Sequence, residues 1–263
     1  MTGRGKWATV AVLAAVILGG CGADGGGGSD GSGGALVEAA ERIEGESLRM
    51  RLDLLTTDAD GEYVVTGTGV ASGDGSQAIL DTKITYDGDG PYDTGVRVLE
   101  DDIFYRFPYL DSDMPAGVRW VRFDPTTTVA ETFMPPELVR FLASTRSIER
   151  VGPARIRGQA VTHYRGTVDL GELAGDADML TRSRYEALVG KDAYTAGVKD
   201  GLPVEGWLAE DGRPARIRFT APHAKETMDM TIDVLGYGVA VEVQPPPENA
   251  VISEKEFDKI TDG

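Results

Sequence analysis

The pattern of apolar and polar positions divides the chain into one short helix, a long series of strands and two interrupting helical stretches. Leu36, Val37, Ala39, Ala40 and Ile43 recur at helical spacing and predict a short amphipathic helix ending at Gly45. Strands follow. In SLRMRLDLL, Leu48, Met50, Leu52 and Leu54 alternate with Ser47, Arg49, Arg51 and Asp53, the period of a strand with one wet face. The same alternation returns late, where Met228, Met230, Ile232 and Val234 interleave with Thr227, Asp229, Thr231 and Asp233.

Turn residues punctuate the strands at Asp60–Gly61, Gly73–Gly75, Gly88–Gly90, Asp101–Asp102, Asp211–Gly212 and Gly236. Short turns between alternating segments predict antiparallel hairpins. Between Pro125 and Ser147, Val129, Ala130, Phe133, Met134, Leu138, Phe141 and Leu142 lie at helical spacing, and Pro135 and Pro136 should split this stretch, with a second helix starting near Pro136. Glu172 to Lys199 also reads as helical. The expected architecture is α+β: a large antiparallel β-sheet with a few α-helices on its apolar face. A sheet of many strands curls, and curling without closure leaves a concave apolar face.

The first residues have a different pattern. Arg4 and Lys6 precede an apolar run from Trp7 to Leu18, too short for the roughly 20 residues that span a bilayer and suited to a signal peptide covering residues 1–20. Leu18, Gly19, Gly20 and Cys21 then match a bacterial lipobox, in which the cysteine is acylated and becomes the first residue after cleavage. Cys21 is the only cysteine, so it cannot form an intramolecular disulfide. Two or more acyl chains on it would give lasting attachment to the outer face of a membrane. Residues 21–34 continue with eight glycines in the thirteen positions from Gly22 to Gly34, a flexible tether with a reach on the order of 20 Å. A single domain is expected over 35–263.

Loss of Arg4 and Lys6 with the leader takes the formal charge from −17 to −19. Such a surface repels nucleic acid and anionic headgroups, so nucleic acid is not an expected partner.

Several segments together resemble the LppX/LprG-type lipoproteins of actinobacteria, whose fold is similar to the LolA and LolB carriers. They are the lipobox and first helix, SLRMRLDLL, the hairpin at Glu100–Phe107 with VRWVRFDP at 118–125, RVGPARIRGQAVTHYRGTVDL at 150–170, VEGWLAEDGRPARIRF at 204–219, and VLGYGVAVEVQPPP at 234–247. The resemblance implies a half-barrel whose helices cover a concave apolar face, and an envelope protein that binds or transfers lipids or lipoglycans in an apolar cavity. It supplies no catalytic residue. The segment VISEKEFDKITDG at 251–263 runs past the matching region.

The chemistry-bearing residues point away from an enzyme. His163 and His223 are the two histidines, and neither sits in a GxSxG, HExxH, Walker or dinucleotide-binding pattern. The acidic pairs Asp58/Asp60, Asp87/Asp89 and Asp176/Asp178 lack the remaining ligands of a calcium loop and read as turns. No cofactor or metal is expected. The candidate ligand-binding residues are the stripe Phe133, Met134, Leu138, Phe141 and Leu142, a pattern that equally describes a helix packed on a sheet. The leading expectation is a lipid-binding lipoprotein tethered through Cys21. The alternative is an envelope sensory or protein-interaction module on the same fold without a resident lipid, its protein partner unidentified.

Overall fold

The structure is a computed structural model that describes residues 34–58, 61–100, 102–124, 134–170, 173, 191–222 and 227–261. The expected signal peptide, Cys21 and nearly all of the expected tether lie outside the described residues, as do Phe133, His223 and most of the stretch from Glu172 to Lys199.

Among the described residues, twelve strands form one open sheet. They are β1 (Leu48–Asp58), β2 (Gly61–Ala71), β3 (Gln77–Tyr86), β4 (Asp89–Leu99), β5 (Asp102–Arg106), β6 (Trp120–Phe123), β7 (Thr145–Ile156), β8 (Gln159–Val168), β9 (Leu202–Leu208), β10 (Pro214–Pro222), β11 (Thr227–Tyr237) and β12 (Val251–Ser253). Their spatial order is β12-β6-β5-β4-β3-β2-β1-β11-β10-β9-β8-β7. All neighbours are antiparallel except β12, which runs parallel to β6.

The register assigns side chains to faces, because residues directly opposite in a ladder share one. Leu52 of β1 lies opposite Ile232 and Gly67, and Met50 lies opposite Val234 and Gly69, so the apolar alternation of β1 continues inward on both neighbours. Arg51 lies opposite Asp233 and Thr68 on the outer face. Two helices cover part of the inner face. Helix α1 (Ala35–Ile43) buries Leu36, Ala39, Ala40 and Ile43, and Leu36 fills the space left by the missing side chain of Gly206 on β9. Helix α2 (Pro135–Ala143) starts where Met134 is still extended, which is the conformation a residue before proline favours. It buries Leu138, Phe141 and Leu142 against the sheet.

Two local expectations need correcting. The helical stretch expected to reach Ser147 gives way to β7 at Thr145, where the Thr145 hydroxyl donates to the Phe141 carbonyl (3.2 Å) and the chain enters the ladder opposite Val168. Gly236, expected in a turn, lies within β11 opposite Arg49, beside a register shift where an extra residue is accommodated. The turn is made by Gly238 at φ +64°, whose N–H donates to the Ser47 carbonyl (2.9 Å). Helix α3 (Lys191–Asp200) precedes β9.

Beyond β11 the chain does not end on the sheet edge but crosses its outer face. Ser47 Oγ donates to the Val239 carbonyl (2.6 Å), the Val243 N–H donates to Gln77 Oε1 (3.2 Å), and Arg97 Nη1 donates to the Gln244 carbonyl (2.9 Å). Gln77 and Arg97 are outward positions of β3 and β4. The chain then pairs as β12 with β6 and continues into helix α4 (Glu254–Thr261).

Candidate functional site

The structure brings four of the five stripe residues together in the core. Met134, Leu138, Phe141 and Leu142 are 3%, 2%, 2% and 0% exposed, and Phe141 stacks on Phe219 of β10 with ring centroids 5.2 Å apart. Where α1 and α2 meet the sheet, the described side chains pack against one another.

Open apolar surface lies beside that core, on the inner face of β2 to β6. Alternation from Val65 places Tyr63 inward; the register places Tyr92 opposite Ile84, and Tyr105 opposite Val96 and Val121. Phe107 and Tyr109 follow β5 and extend the same surface. The rings make two sets of contacts. Tyr63 meets Tyr86 at 4.9 Å, Tyr92 meets Tyr109 at 4.9 Å, Phe107 meets Tyr105 at 5.8 Å and Tyr109 at 6.1 Å, and Tyr105 meets Phe123 at 5.1 Å. Tyr105 also packs against the core, so the two apolar regions are continuous. Tyr86 and Tyr109 remain 48% and 39% exposed, unusual values for rings inside a cluster.

Electrostatics keep this surface uncharged. Burial pushes the Tyr63 phenol well above its ordinary range, and the neighbouring Tyr86, to which it donates, adds to the effect. Burial also raises Tyr86 and Tyr109. Tyr92 donates to Asp89 Oδ2 (2.9 Å). Carboxylates line one margin, where Glu62, Asp87 and Asp89 are exposed at the strand ends beside Tyr63 and Tyr86.

The sequence reading did not single out these aromatics. They come from five segments, and only the register aligns them. A usable signal existed in FYRFPYL at 104–110, where Tyr105, Phe107 and Tyr109 alternate onto one face.

The outer face has opposite chemistry. Its rows run Arg51–Asp233–Arg216–Trp207–His163 and Asp53–Thr231–Arg218–Glu205–Arg165 across consecutive strands. Arg218 pairs with Asp229, and Lys83 with Asp93. His163 stacks on Trp207 at 4.3 Å and hydrogen-bonds Glu205 Oε2 at 2.6 Å, which satisfies it within the sheet surface. An open groove of about 980 Å³ runs along this face, its walls including Arg51, Asp81, Lys83, Arg106 and Trp120. Its walls mix these charged groups with Ile79, Pro108 and Trp120, so it suits an acyl chain less well than the aromatic inner face does. Among the described residues, no group of three His, Cys, Asp or Glu is placed to hold a metal ion, and no helix is long and apolar enough to cross a membrane.

No protein-family model matches the chain, and no curated protein matches it. Solved structures do. The chain is similar to LprF from Mycobacterium bovis and to the lipoprotein LppX of Mycobacterium tuberculosis. LprF is 16% identical, with 84% of this chain and 99% of that one covered at a TM-score of 0.47. LppX is 14% identical, with 82% and 100% covered at a TM-score of 0.49. Both are lipoproteins of the group the sequence resembles. The reading of the site rests on its own residues.

Proposed function

We propose that this protein is a membrane-tethered envelope lipoprotein that takes up the acyl chains of a lipid on the aromatic inner face of its sheet. The carrying observation is the aromatic inner face, a linked group of rings from Tyr92 through Tyr109, Phe107 and Tyr105 to Phe123 with the Tyr63–Tyr86 pair on the same face, in which Tyr86 and Tyr109 are left exposed. Burial is the driving force. Each methylene removed from water contributes about 0.8 kcal/mol, so ten supply roughly 8 kcal/mol before immobilisation costs are subtracted. The process needs no covalent step and no cofactor.

The acidic margin at Glu62, Asp87 and Asp89 disfavours anionic headgroups near that end, so neutral or zwitterionic lipids and uncharged glycolipids are the preferred class. Acylated Cys21 and the glycine-rich tether would hold the domain within reach of the bilayer from which such a lipid is drawn, on its extracytoplasmic face.

The test is a fluorescence titration with a zwitterionic phosphatidylcholine carrying an NBD-labelled acyl chain, against the wild type and Tyr109→Glu. Saturable binding that the variant weakens supports the reading. Absence of saturable binding, or equal binding by both, overturns it, and a stoichiometric protein partner recovered instead of lipid would favour a sensory or interaction module.

A further inference from the structure

The segment after β11, whose last part from Val251 lies beyond the sequence resemblance, ends on the aromatic face. Having crossed the outer face and paired with β6, it turns into α4 and sets Phe257 against inward-facing rings. Phe257 stacks on Phe107 with centroids 5.5 Å apart and meets Phe123 edge-on at 6.2 Å. It covers part of the surface that the proposed ligand would use.

The rest of α4 is built to be released. Its sequence EKEFDKIT places Phe257 and Ile260 one turn apart as the apolar members, and every other residue is charged or polar. None of its residues is fully buried. Its N-terminus is stabilised within the segment itself, since Ser253 N–H and Oγ both donate to Glu256 Oε2 (2.9 and 2.7 Å). That cap is independent of the body, but a detached helix of eight residues is marginal in water, so release opens its amides to exchange. Among the described residues, its links to the body include a three-residue parallel strand at the sheet edge, the Arg119 N–H donating to the Ala250 carbonyl (2.9 Å), an exposed contact from the Asp124 N–H to Glu254 Oε2 (3.4 Å), and the Phe257 ring. Elements with few buried contacts open at low free energy while the remaining fold stays intact.

We propose that Phe257 is an internal occupant of the aromatic face, and that α4 competes with the apolar ligand and detaches when one binds. This rests on the lipid-binding reading and adds its regulation. Displacement moves Phe257 off Phe107 and Phe123 and frees both rings for the ligand. The aromatic contacts given up are of the size that changes affinity about threefold to tenfold.

The experiment compares full-length wild type, Phe257→Ala and Phe257→Trp in titrations with the same NBD-acyl phosphatidylcholine, with amide hydrogen exchange over residues 251–261. The expected result is about threefold to tenfold tighter binding by Phe257→Ala, no tightening by Phe257→Trp, and faster exchange of α4 in the wild type once the probe saturates it. Equal or weaker binding by Phe257→Ala, or unchanged or slower exchange of α4 on saturation, overturns the proposal while leaving lipid binding intact. Failure of wild type and both variants to bind the probe overturns the lipid reading itself, and the proposal with it.

Discussion

Asp233 of β11 accepts hydrogen bonds from Arg216 of β10 through both carboxylate oxygens, at 2.6 and 2.9 Å, and Arg157 approaches the same carboxylate at 3.1 Å. The side chain is among the few buried charged groups described on this fold. Its burial alone would raise the carboxyl pKa; the two guanidiniums reverse that and hold it below the ordinary value. Because the folded-state pKa is depressed, the stabilisation is present above the unfolded value of about 3.9 and is lost as pH falls through the folded one. Asp233→Asn should therefore lower stability by roughly 1.5–3 kcal/mol at pH 7. Thermal melts monitored by circular dichroism should give a difference from wild type that is full above the unfolded value of about 3.9 and shrinks as pH falls below it, through the depressed folded-state value. A difference independent of pH would contradict the assignment.

Phe141 carries a different kind of weight. Its ring is buried and stacked on Phe219, so Phe141→Ala should cost about 3–5 kcal/mol through lost burial and the cavity left behind. Urea unfolding of the variant measures this. A loss below about 1 kcal/mol would show that the site collapses freely and that α2 is not the anchor of the core.

Tyr109 offers the reverse test. It is half-exposed and touches Tyr92 and Phe107, so Tyr109→Glu should cost about 1–2 kcal/mol of stability, well below the Phe141→Ala loss, while weakening acyl-probe binding by about tenfold or more. A loss of stability as large as that of Phe141→Ala with retained binding would reverse the roles assigned to the aromatic face and the core.

The anchor makes its own prediction. Cys21→Ala should abolish acylation and release the domain from the membrane fraction, read by fractionation and mass measurement of the mature chain. Continued membrane attachment of the variant would contradict the lipobox reading.

Much of this architecture was legible because β1 and β11 alternate strictly, so one face of each strand had to be buried and the other wet, and their direct pairing in the sheet makes the two patterns match residue by residue. Helix α1 was equally plain from Leu36, Ala39, Ala40 and Ile43. The stripe Met134, Leu138, Phe141 and Leu142 was readable as an apolar face, but periodicity records burial and is silent on whether a protein side chain or a ligand does the burying. The structure puts those four residues in the core. The aromatic surface was hidden for a different reason: Tyr63, Tyr86, Tyr92 and Phe123 stand in separate strands, and their adjacency is a property of register. The path of the last segment was hidden too, since Val251–Ser253 pairs in parallel with a strand about 130 residues earlier, a contact no local turn signal announces.

Native mass spectrometry of the protein purified from its own host, with extraction and identification of whatever it carries, tests lipid uptake most directly. The expected result is a protein population carrying lipid with neutral or zwitterionic headgroups, reduced in Tyr109→Glu. A chain recovered bare under conditions that preserve non-covalent complexes, or lipid retained equally by that variant, would contradict it.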